Sequence, residues 1–123
     1  MPIPDLRSTF FNLADDSDVI IVRFDVPRLN DEENIEMLGE ELFSLVQNYH
    51  CRKMVINLAT VNYLTSSVLG KLITLHRRLH RNDGRMVICE LQPTVEDLMS
   101  TSKLLTYFNV SSVESEAVAF LKD

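Results

Sequence analysis

Two short runs of β-branched and aliphatic residues constrain the fold of this chain most, because a segment with helical periodicity separates them. The first run, residues 19–26, reads VIIVRFDV, is typical of a strand and is stopped by Pro27. The second run, residues 54–58, reads MVINL and predicts a buried strand. Two strands joined through a helix favour parallel pairing with a crossover connection, so the pattern predicts an α/β fold.

Two amphipathic segments supply the first crossover helices. The segment after residue 30 begins NDEE, with Asn30 as a plausible N-cap and acidic residues in the first turn, where the helix dipole favours them. The segment after Ser66 ends at the sequence NDG, residues 82–84, which is a typical helix stop. Both segments carry apolar residues at helical spacing: Ile35, Leu38, Leu42, Leu45, Val46 and Tyr49 in the first, and Leu69, Leu72, Ile73, Leu75 and Leu79 in the second.

The remaining segments complete an alternating order of strands and helices. Residues 85–90 predict a third strand, residues 110–113 an edge strand, and residues 117–121 a short last helix. A further helix opens at Pro93, with Thr94 and Asp97 in capping-box-like spacing. Before the first run, residues 1–8 predict a loose arm, residues 9–13 a short strand and residues 15–18 a turn.

The predicted architecture is one α/β domain with a mostly parallel central sheet of four to five strands and about four helices. We assign residues 1–18 to an N-terminal arm that can include an edge strand, and residues 19–123 to the domain itself. A chain of 123 residues with 46% hydrophobic and 24% charged residues is long enough to bury one core without disulfides or a metal.

Composition also argues against several classes of function. The formal charge of −6 disfavours nonspecific nucleic-acid binding. Cys51 and Cys89 lie far apart without zinc-ligand spacing, so we predict reduced thiols, no metal and no cofactor. The sequence has neither a basic and apolar leader at its start nor an apolar run of about 20 residues, so we expect a cytoplasmic protein that does not enter a membrane.

The candidate functional feature is a set of hydroxyls at a strand–loop–helix junction. Thr65, Ser66 and Ser67 precede the apolar stripe of the second helix, where a hydroxyl serves either as a cap or as a switch. Backbone N–H groups at such a helix start favour anions. A phosphate on Ser66 would be tolerated locally while presenting about −1.5 to −2 of new charge to a partner.

The residues around this junction resemble a known family. Residues 55–70, VINLATVNYLTSSVLG, are similar to the STAS pattern of a hydrophobic strand, Asp-Leu-Ser, a hydrophobic pair and Asp-Ser-Ser-Gly-Leu-Gly; residues 84–89, GRMVIC, resemble the following strand. STAS domains occur in bacterial anti-sigma factor antagonists, stressosome subunits and sulfate-transporter tails. The resemblance spans residues 19–121. In the antagonist branch, a partner that is both kinase and anti-sigma factor phosphorylates the first serine after the acidic residue, which by position is Ser66.

The chain departs from the family pattern near this serine. Asn57 stands where the family has aspartate, Thr65 where it has the acidic neighbour of the phosphoserine, and Val68 where it has glycine. The earlier loop, residues 26–30, reads VPRLN in place of Gly-x-Leu-Asp. These changes remove charges that could assist hydroxyl activation, and they make Thr65 a second candidate acceptor.

Other chemistries have weaker support in the sequence. His76 and His80 share a helix face, but no third ligand or zinc-protease glutamate accompanies them, so we interpret them as polar or edge-of-core histidines. Cys51 follows His50 without an oxyanion-type glycine loop, and the chain has no P-loop or GxSxG motif, so we predict no enzyme. The basic residues Lys71, Arg77, Arg78 and Arg81 predict either a solvated face or a docking surface for an acidic partner.

The resemblance therefore implies a regulatory interaction module that binds an anti-sigma factor and serine kinase, or another STAS protein, and is switched off by phosphorylation of Ser66. The alternative is a non-phosphorylated STAS scaffold that self-associates or joins a stressosome-like assembly. The predicted partner-binding residues are Asn30, Asp31, Thr65, Ser66, Ser67, Val68 and Lys71.

Overall fold

A computed structural model describes residues 3–122 as a five-stranded sheet with helices on both faces. Within these residues the strands are β1 (Phe11–Asp16), β2 (Val19–Phe24), β3 (Arg28–Leu29), β4 (Lys53–Asn57), β5 (Tyr63–Leu64), β6 (Arg85–Cys89) and β7 (Asn109–Ser111). The helices are α1 (Glu32–Gln47), α2 (Ser66–Arg81), α3 (Pro93–Thr101) and α4 (Glu114–Lys122). The predicted fold class, an α/β domain with a mostly parallel sheet and four helices, is confirmed.

The main sheet has the strand order β1-β2-β4-β6-β7. Strand β1 runs antiparallel to β2, and the other neighbours are parallel, as crossover helices require. One face carries Ile20, Met54 and Ile56 into the core beneath α1, α2 and α3. The other face carries Val19, Val55 and their neighbours against α4 alone. Burial of the central strands on both faces explains their nearly continuous apolar sequence.

The N-terminal arm is packed on the domain, so the prediction of a loose arm is wrong for the described part, residues 3–8. Tyr49 donates its hydroxyl to the carbonyl of Asp5 at 2.9 Å, and Ser8 donates to Glu41 at 2.8 Å. Phe10 follows in the core. The predicted turn at residues 15–18 is confined to Ser17 and Asp18. Residues 1, 2 and 123, which fall within the predicted arm and domain, lie outside the described residues.

Two predicted helix caps differ from the observed ones. Helix α1 is capped by Asp31 rather than Asn30, since the Asp31 carboxylate accepts the N–H of Glu33 at 3.1 Å. Helix α3 has Gln92 at its N-cap position without a side-chain cap, so the predicted capping box is absent. The hydroxyl of Thr94 instead donates to the carbonyl of Asn62 at 2.7 Å and connects α3 to the segment before α2. Helix α4 also begins at Glu114, earlier than predicted.

The predicted end of α2 at residues 82–84 is confirmed, but Gly84 does not adopt the left-handed conformation that a C-terminal cap glycine usually takes. Asp83, with φ of 61°, takes the left-handed conformation. Gly84 is required because the chain passes close to the preceding strand: a Cβ at this position would lie 2.4 Å from the carbonyl oxygen of Arg52. The same oxygen accepts the N–H of Arg85 at 2.7 Å, which fixes the start of β6 against β4.

A two-stranded parallel sheet of β3 and β5 was not predicted. It pairs Arg28 with Tyr63 and Leu29 with Leu64. The N–H of Thr65 then donates to the carbonyl of Leu29 at 3.2 Å. This small sheet joins the segment before α1 to the segment before α2, so the two loops that carry most of the predicted site lie side by side.

Candidate functional site

Ser66 is the first residue of α2, and its side chain is exposed. Thr65 occupies the N-cap position with extended backbone, φ −95° and ψ 167°, but its side chain makes no capping hydrogen bond. Within residues 3–122, neither Ser66 nor Ser67 has a side-chain hydrogen bond, so the capping role predicted for Ser67 is wrong. The exposed hydroxyl of Ser66 is therefore not used by the fold of the described chain.

The hydroxyls of Thr65 and Ser66 have different surroundings. Thr65 Oγ1 is buried and has no hydrogen-bond partner in the described residues, while the Ser66 side chain is exposed. A modifying enzyme can reach an exposed hydroxyl without rearranging the loop. The first turn of α2 contains no acidic residue, so the dipole at this helix start is not neutralised by a side chain of that turn.

A groove lies beside Ser66, between the start of α2 and α3. Its volume is about 520 Å³. Tyr63 stands at one side with 44% of its surface exposed, and the Arg28 guanidinium lies 4.5 Å from the centre of its ring. The rim thus offers an aromatic ring, a cation and hydroxyls within one concave surface. Its lining residues are Asn62, Tyr63, Leu64, Thr65, Ser66, Thr94, Val95 and Leu98.

Of the other residues predicted to bind a partner, some are exposed and others are engaged in contacts within the chain. Asn30 is exposed beside the small sheet, whereas the carboxylate of Asp31 is engaged in capping α1. Lys71 bridges two helices: its Nζ lies 3.0 Å from Glu36 Oε1, and its stem fills the space above Gly39. Lys71 therefore holds α2 against α1 and presents little free charge.

Val68 does not belong to the exposed surface. Its side chain is only 1% exposed and lies in the main core with the other apolar residues of α2. The residue lies two positions after Ser66, and this rotation around the helix turns its side chain towards the sheet. Val68 is therefore not available to a partner in this conformation, contrary to its predicted place among the partner-binding residues.

The histidine and cysteine side chains that invited metal or nucleophile chemistry include three that are partly or fully buried, and Nδ1 of one of them, His76, has no hydrogen-bond partner in the described residues. His76 packs edge-on against Tyr107 at 5.2 Å between ring centres, and burial, followed by the charge of His80, lowers its pKa. Burial raises the pKa of Cys51 to about 11 and that of Cys89 to about 12, so both buried thiols are protonated at neutral pH. No group of three or more metal-ligating side chains occurs in the described chain.

Asn57 belongs to a polar network at the carboxyl end of β4. Its Nδ2 donates to Glu114 Oε1 at 2.9 Å, and its Oδ1 accepts the N–H of Ala59 at 2.9 Å. Glu114 also receives two hydrogen bonds from Arg23, at 2.8 and 2.7 Å. These Arg23 contacts lower the pKa of Glu114 against the opposing effect of burial, and Asn57 acts in the same direction as Arg23. An amide at position 57 is thus matched to a glutamate at position 114.

Restoring the family's aspartate here is expected to destabilise this chain. The Asn57→Asp change would replace the amide that donates to Glu114 with a second carboxylate. We expect the free energy of unfolding at pH 7 to fall by about 1–2 kcal/mol. The repulsion raises a carboxyl pKa in the folded state, so the deficit should shrink as pH falls towards 4. Urea unfolding at pH 7 and at pH 4 measures the difference in unfolding free energy between the variant and the wild type. Asn12→Asp, beside Asp25 on the surface, is the matched control; an equal, pH-independent loss in both variants would contradict the argument.

Fold and site together define a small α/β domain that presents an exposed serine at the start of a helix. The family model described as the STAS domain matches residues 11–117. The chain belongs to the STAS domain family.

Its relatives include regulators of sigma factors. It is 30% identical to BtrV of Bordetella bronchiseptica, a proposed anti-sigma factor antagonist, over 72% of this chain and 76% of that protein. It is 23% identical to the anti-sigma F factor antagonist of Paenibacillus polymyxa, over 75% and 79% of the two chains. The unphosphorylated antagonist SpoIIAA has the same fold, with a TM-score of 0.70 and 16% identity over 91% of this chain and 97% of that one.

An anti-sigma factor antagonist from Mycobacterium paratuberculosis superposes with a TM-score of 0.80, at 18% identity over 92% and 93% of the two chains. The names of these relatives describe antagonists of anti-sigma factors. Among the residues described, no helix is long and apolar enough to cross a membrane.

Proposed function

We propose that this chain is a cytoplasmic, non-enzymatic interaction module that binds an anti-sigma factor and serine kinase through the surface around Ser66. The unmodified chain binds the partner, and phosphorylation of Ser66 releases it. The observation that carries this proposal is the exposed hydroxyl at the first position of α2, which makes no hydrogen bond in the described chain. The named functions of the relatives support the class of partner.

The helix start allows phosphorylation without unfolding the domain. The unsatisfied N–H groups and the dipole of α2 favour a negative charge at its first turn, and no acidic side chain of that turn competes. The same charge would oppose a partner surface that fits a neutral hydroxyl, because a dianion buried there loses its hydration. The switch therefore acts on the complex rather than on the fold.

Gly70 gives a second indication that a partner approaches this part of α2. It lies in the helix one turn after Ser66, where glycine is less favourable than alanine. A Cβ at Gly70 would meet nothing within 4 Å, so packing inside the described chain does not require a glycine. A bare backbone at this point allows another molecule to approach the helix closely.

Replacing Gly70 with alanine should separate folding from binding. The Gly70→Ala variant is expected to gain about 0.5–1 kcal/mol of unfolding free energy, because alanine loses less backbone entropy in a helix. Partner affinity should fall, since the added methyl group occupies the approach path. Urea unfolding and calorimetric titration measure the two effects. A variant that is more stable and binds the partner equally well would refute the docking role of Gly70.

Site-resolved phosphopeptide mapping tests the switch directly. Trypsin cleavage after Lys53 and Lys71 releases the peptide of residues 54–71, which contains Thr65, Ser66 and Ser67. The protein should be isolated from its native cells during growth and stress. We expect phosphate on Ser66 that changes with condition, and none on Thr65, whose hydroxyl is buried. A well-detected peptide without phosphate in every condition would exclude the switch.

A STAS scaffold or stressosome-like subunit is the second candidate. It is favoured by Thr65 and Val68, which replace the family's acidic residue and glycine beside the serine. Such a subunit would bind another STAS protein or a second copy of itself as a homo-oligomer. Analytical ultracentrifugation over a wide concentration range discriminates the two functions, because a monomer throughout contradicts self-assembly.

A further inference from the structure

The basic side chains of this chain are mostly engaged in its own contacts. In the described residues, each of the following has an ion pair, a hydrogen bond or a ring contact: Arg23, Arg28, Arg52, Lys53, Lys71, Arg78, Arg85 and Lys122. No such contact is present within residues 3–122 for Arg7, Arg77, Arg81 or Lys103. Two of these unengaged cations, Arg77 and Arg81, lie one turn apart on α2.

A hollow of about 260 Å³ lies beside Arg77 and Arg81, and it is also lined by His76, His80 and Tyr107. Tyr107 is 40% exposed and packs on His76, whose lowered pKa leaves its ring uncharged at neutral pH. The hollow is therefore lined by an exposed tyrosine and by two arginine residues that make no contact with a carboxylate in the described chain. Guanidinium groups donate forked hydrogen bonds that match carboxylates.

The helix dipole explains only part of this arrangement. Cations in the last turn of a helix are stabilising, and α2 has Arg78, His80 and Arg81 there. Arg77 lies before that turn, and neither the dipole nor an internal carboxylate of the described chain accounts for its position beside the hollow. With a net charge of −6, the chain as a whole repels acidic molecules at long range. An acidic molecule that does bind is therefore expected to bind where unpaired cations cluster, at Arg77 and Arg81.

We propose that this hollow binds an acidic segment of a protein partner, whose clustered carboxylates pair with Arg77 and Arg81. Two guanidinium groups spaced by one helical turn can each form a forked pair with one of two neighbouring carboxylates along an acidic segment. Arg77 follows Ser66 by eleven residues, which is about three turns, so both residues lie on one exposed stripe of α2 about 16 Å apart. The acidic contact is separate from Ser66 and does not depend on its phosphorylation.

An NMR titration of the full chain with an acetylated and amidated hexaglutamate peptide tests the hollow. At low salt we expect saturable shifts of the backbone amides of Arg77, His80, Arg81 and Tyr107, which weaken as salt screens the charges. The Arg77→Gln/Arg81→Gln variant should bind the peptide about fivefold or more weakly. The control Arg7→Gln/Lys122→Gln removes the same charge elsewhere and should change affinity less than about twofold.

Several outcomes would overturn this proposal. If both double variants lose the same affinity for the peptide, or if the amide shifts are spread over the whole surface, the hollow is not a specific site for acidic segments. Inorganic phosphate that binds there more tightly than the peptide would indicate a compact anion instead. Shifts that depend on protein concentration without peptide, and that include Glu32 and Glu33, would indicate a second copy. Ser66→Ala should leave peptide binding unchanged, which keeps this test independent of the proposed switch.

Discussion

Ser66→Asp is expected to weaken binding of the anti-sigma factor and kinase about 30-fold or more, because an unpaired charge buried at an interface costs about 2–5 kcal/mol. The folded domain should not suffer, since a carboxylate at the first position of α2 interacts favourably with the helix dipole. The partner should be recovered by crosslinking to the wild-type chain in native cells and then purified. Isothermal titration calorimetry with each variant gives the change in affinity.

Two further variants make the Ser66→Asp result specific. Ser66→Ala should bind the partner within about threefold of the wild type, because the complex needs a neutral side chain rather than the hydroxyl itself. Ser115→Asp adds the same charge in the first turn of α4, on the opposite face of the sheet, and should leave affinity unchanged. If Ser66→Asp binds as tightly as the wild type, Ser66 does not control the partner surface.

Gly84→Ala is expected to destabilise the domain strongly. Its Cβ would lie 2.4 Å from the carbonyl oxygen of Arg52, which is backbone and has no rotamer by which to move away. Relief requires a shift of β6 against β4, and therefore a longer Arg85–Arg52 hydrogen bond than the observed 2.7 Å. We expect a loss of about 3 kcal/mol, near the upper end of overpacking penalties, and a melting temperature lower by about 10 °C.

Urea and thermal unfolding measure the Gly84→Ala effect, and Gly70→Ala is the matched control. Both changes add one methyl group to a glycine with negative φ, but only position 84 lacks space. The two variants should therefore shift stability in opposite directions. A Gly84→Ala chain as stable as the wild type would mean that the turn relaxes without cost, and that close approach is not why glycine stands there.

The central strands and the first two helices could be predicted because the positions that they bury are occupied by apolar residues. Residues 19–22 of β2 and 54–56 of β4 are buried on both faces of the sheet and so form continuous apolar runs. Helices α1 and α2 bury one face each, which produces the regular spacing of residues such as Leu38, Leu42 and Leu72. Burial of one helix face produces a periodic apolar pattern, and burial of a strand on both faces produces a continuous apolar run.

The surroundings of Ser66 were less predictable from the sequence. Its position at a helix start follows from the strand and stripe around it, but β3 and β5 have two residues each, too few to show any alternation. The pairing of Arg28 with Tyr63 depends on how two distant loops meet, and local sequence does not encode that meeting. A resemblance to a family pattern likewise could not reveal that Val68 turns into the core.

Local polar signals were ambiguous for a related reason. Asn30 and Asp31 are both good capping residues, and it is Asp31 that caps α1 in the structure. Thr94 has the spacing of a capping box, but its hydroxyl meets a carbonyl of a different segment, that of Asn62. At the start of α3, a hydrogen bond over a long sequence distance thus replaces the short-range capping interaction.

The two buried cysteines make the chain a convenient host for site-specific probes. Cys51 and Cys89 are both 0% exposed, and the raised pKa of each thiol leaves almost no thiolate at neutral pH. A maleimide dye or spin label should therefore react selectively with a cysteine introduced at an exposed position, without removal of the native pair. Labels placed on α2 and α3 in this way would report distances across the groove beside Ser66 while a partner binds.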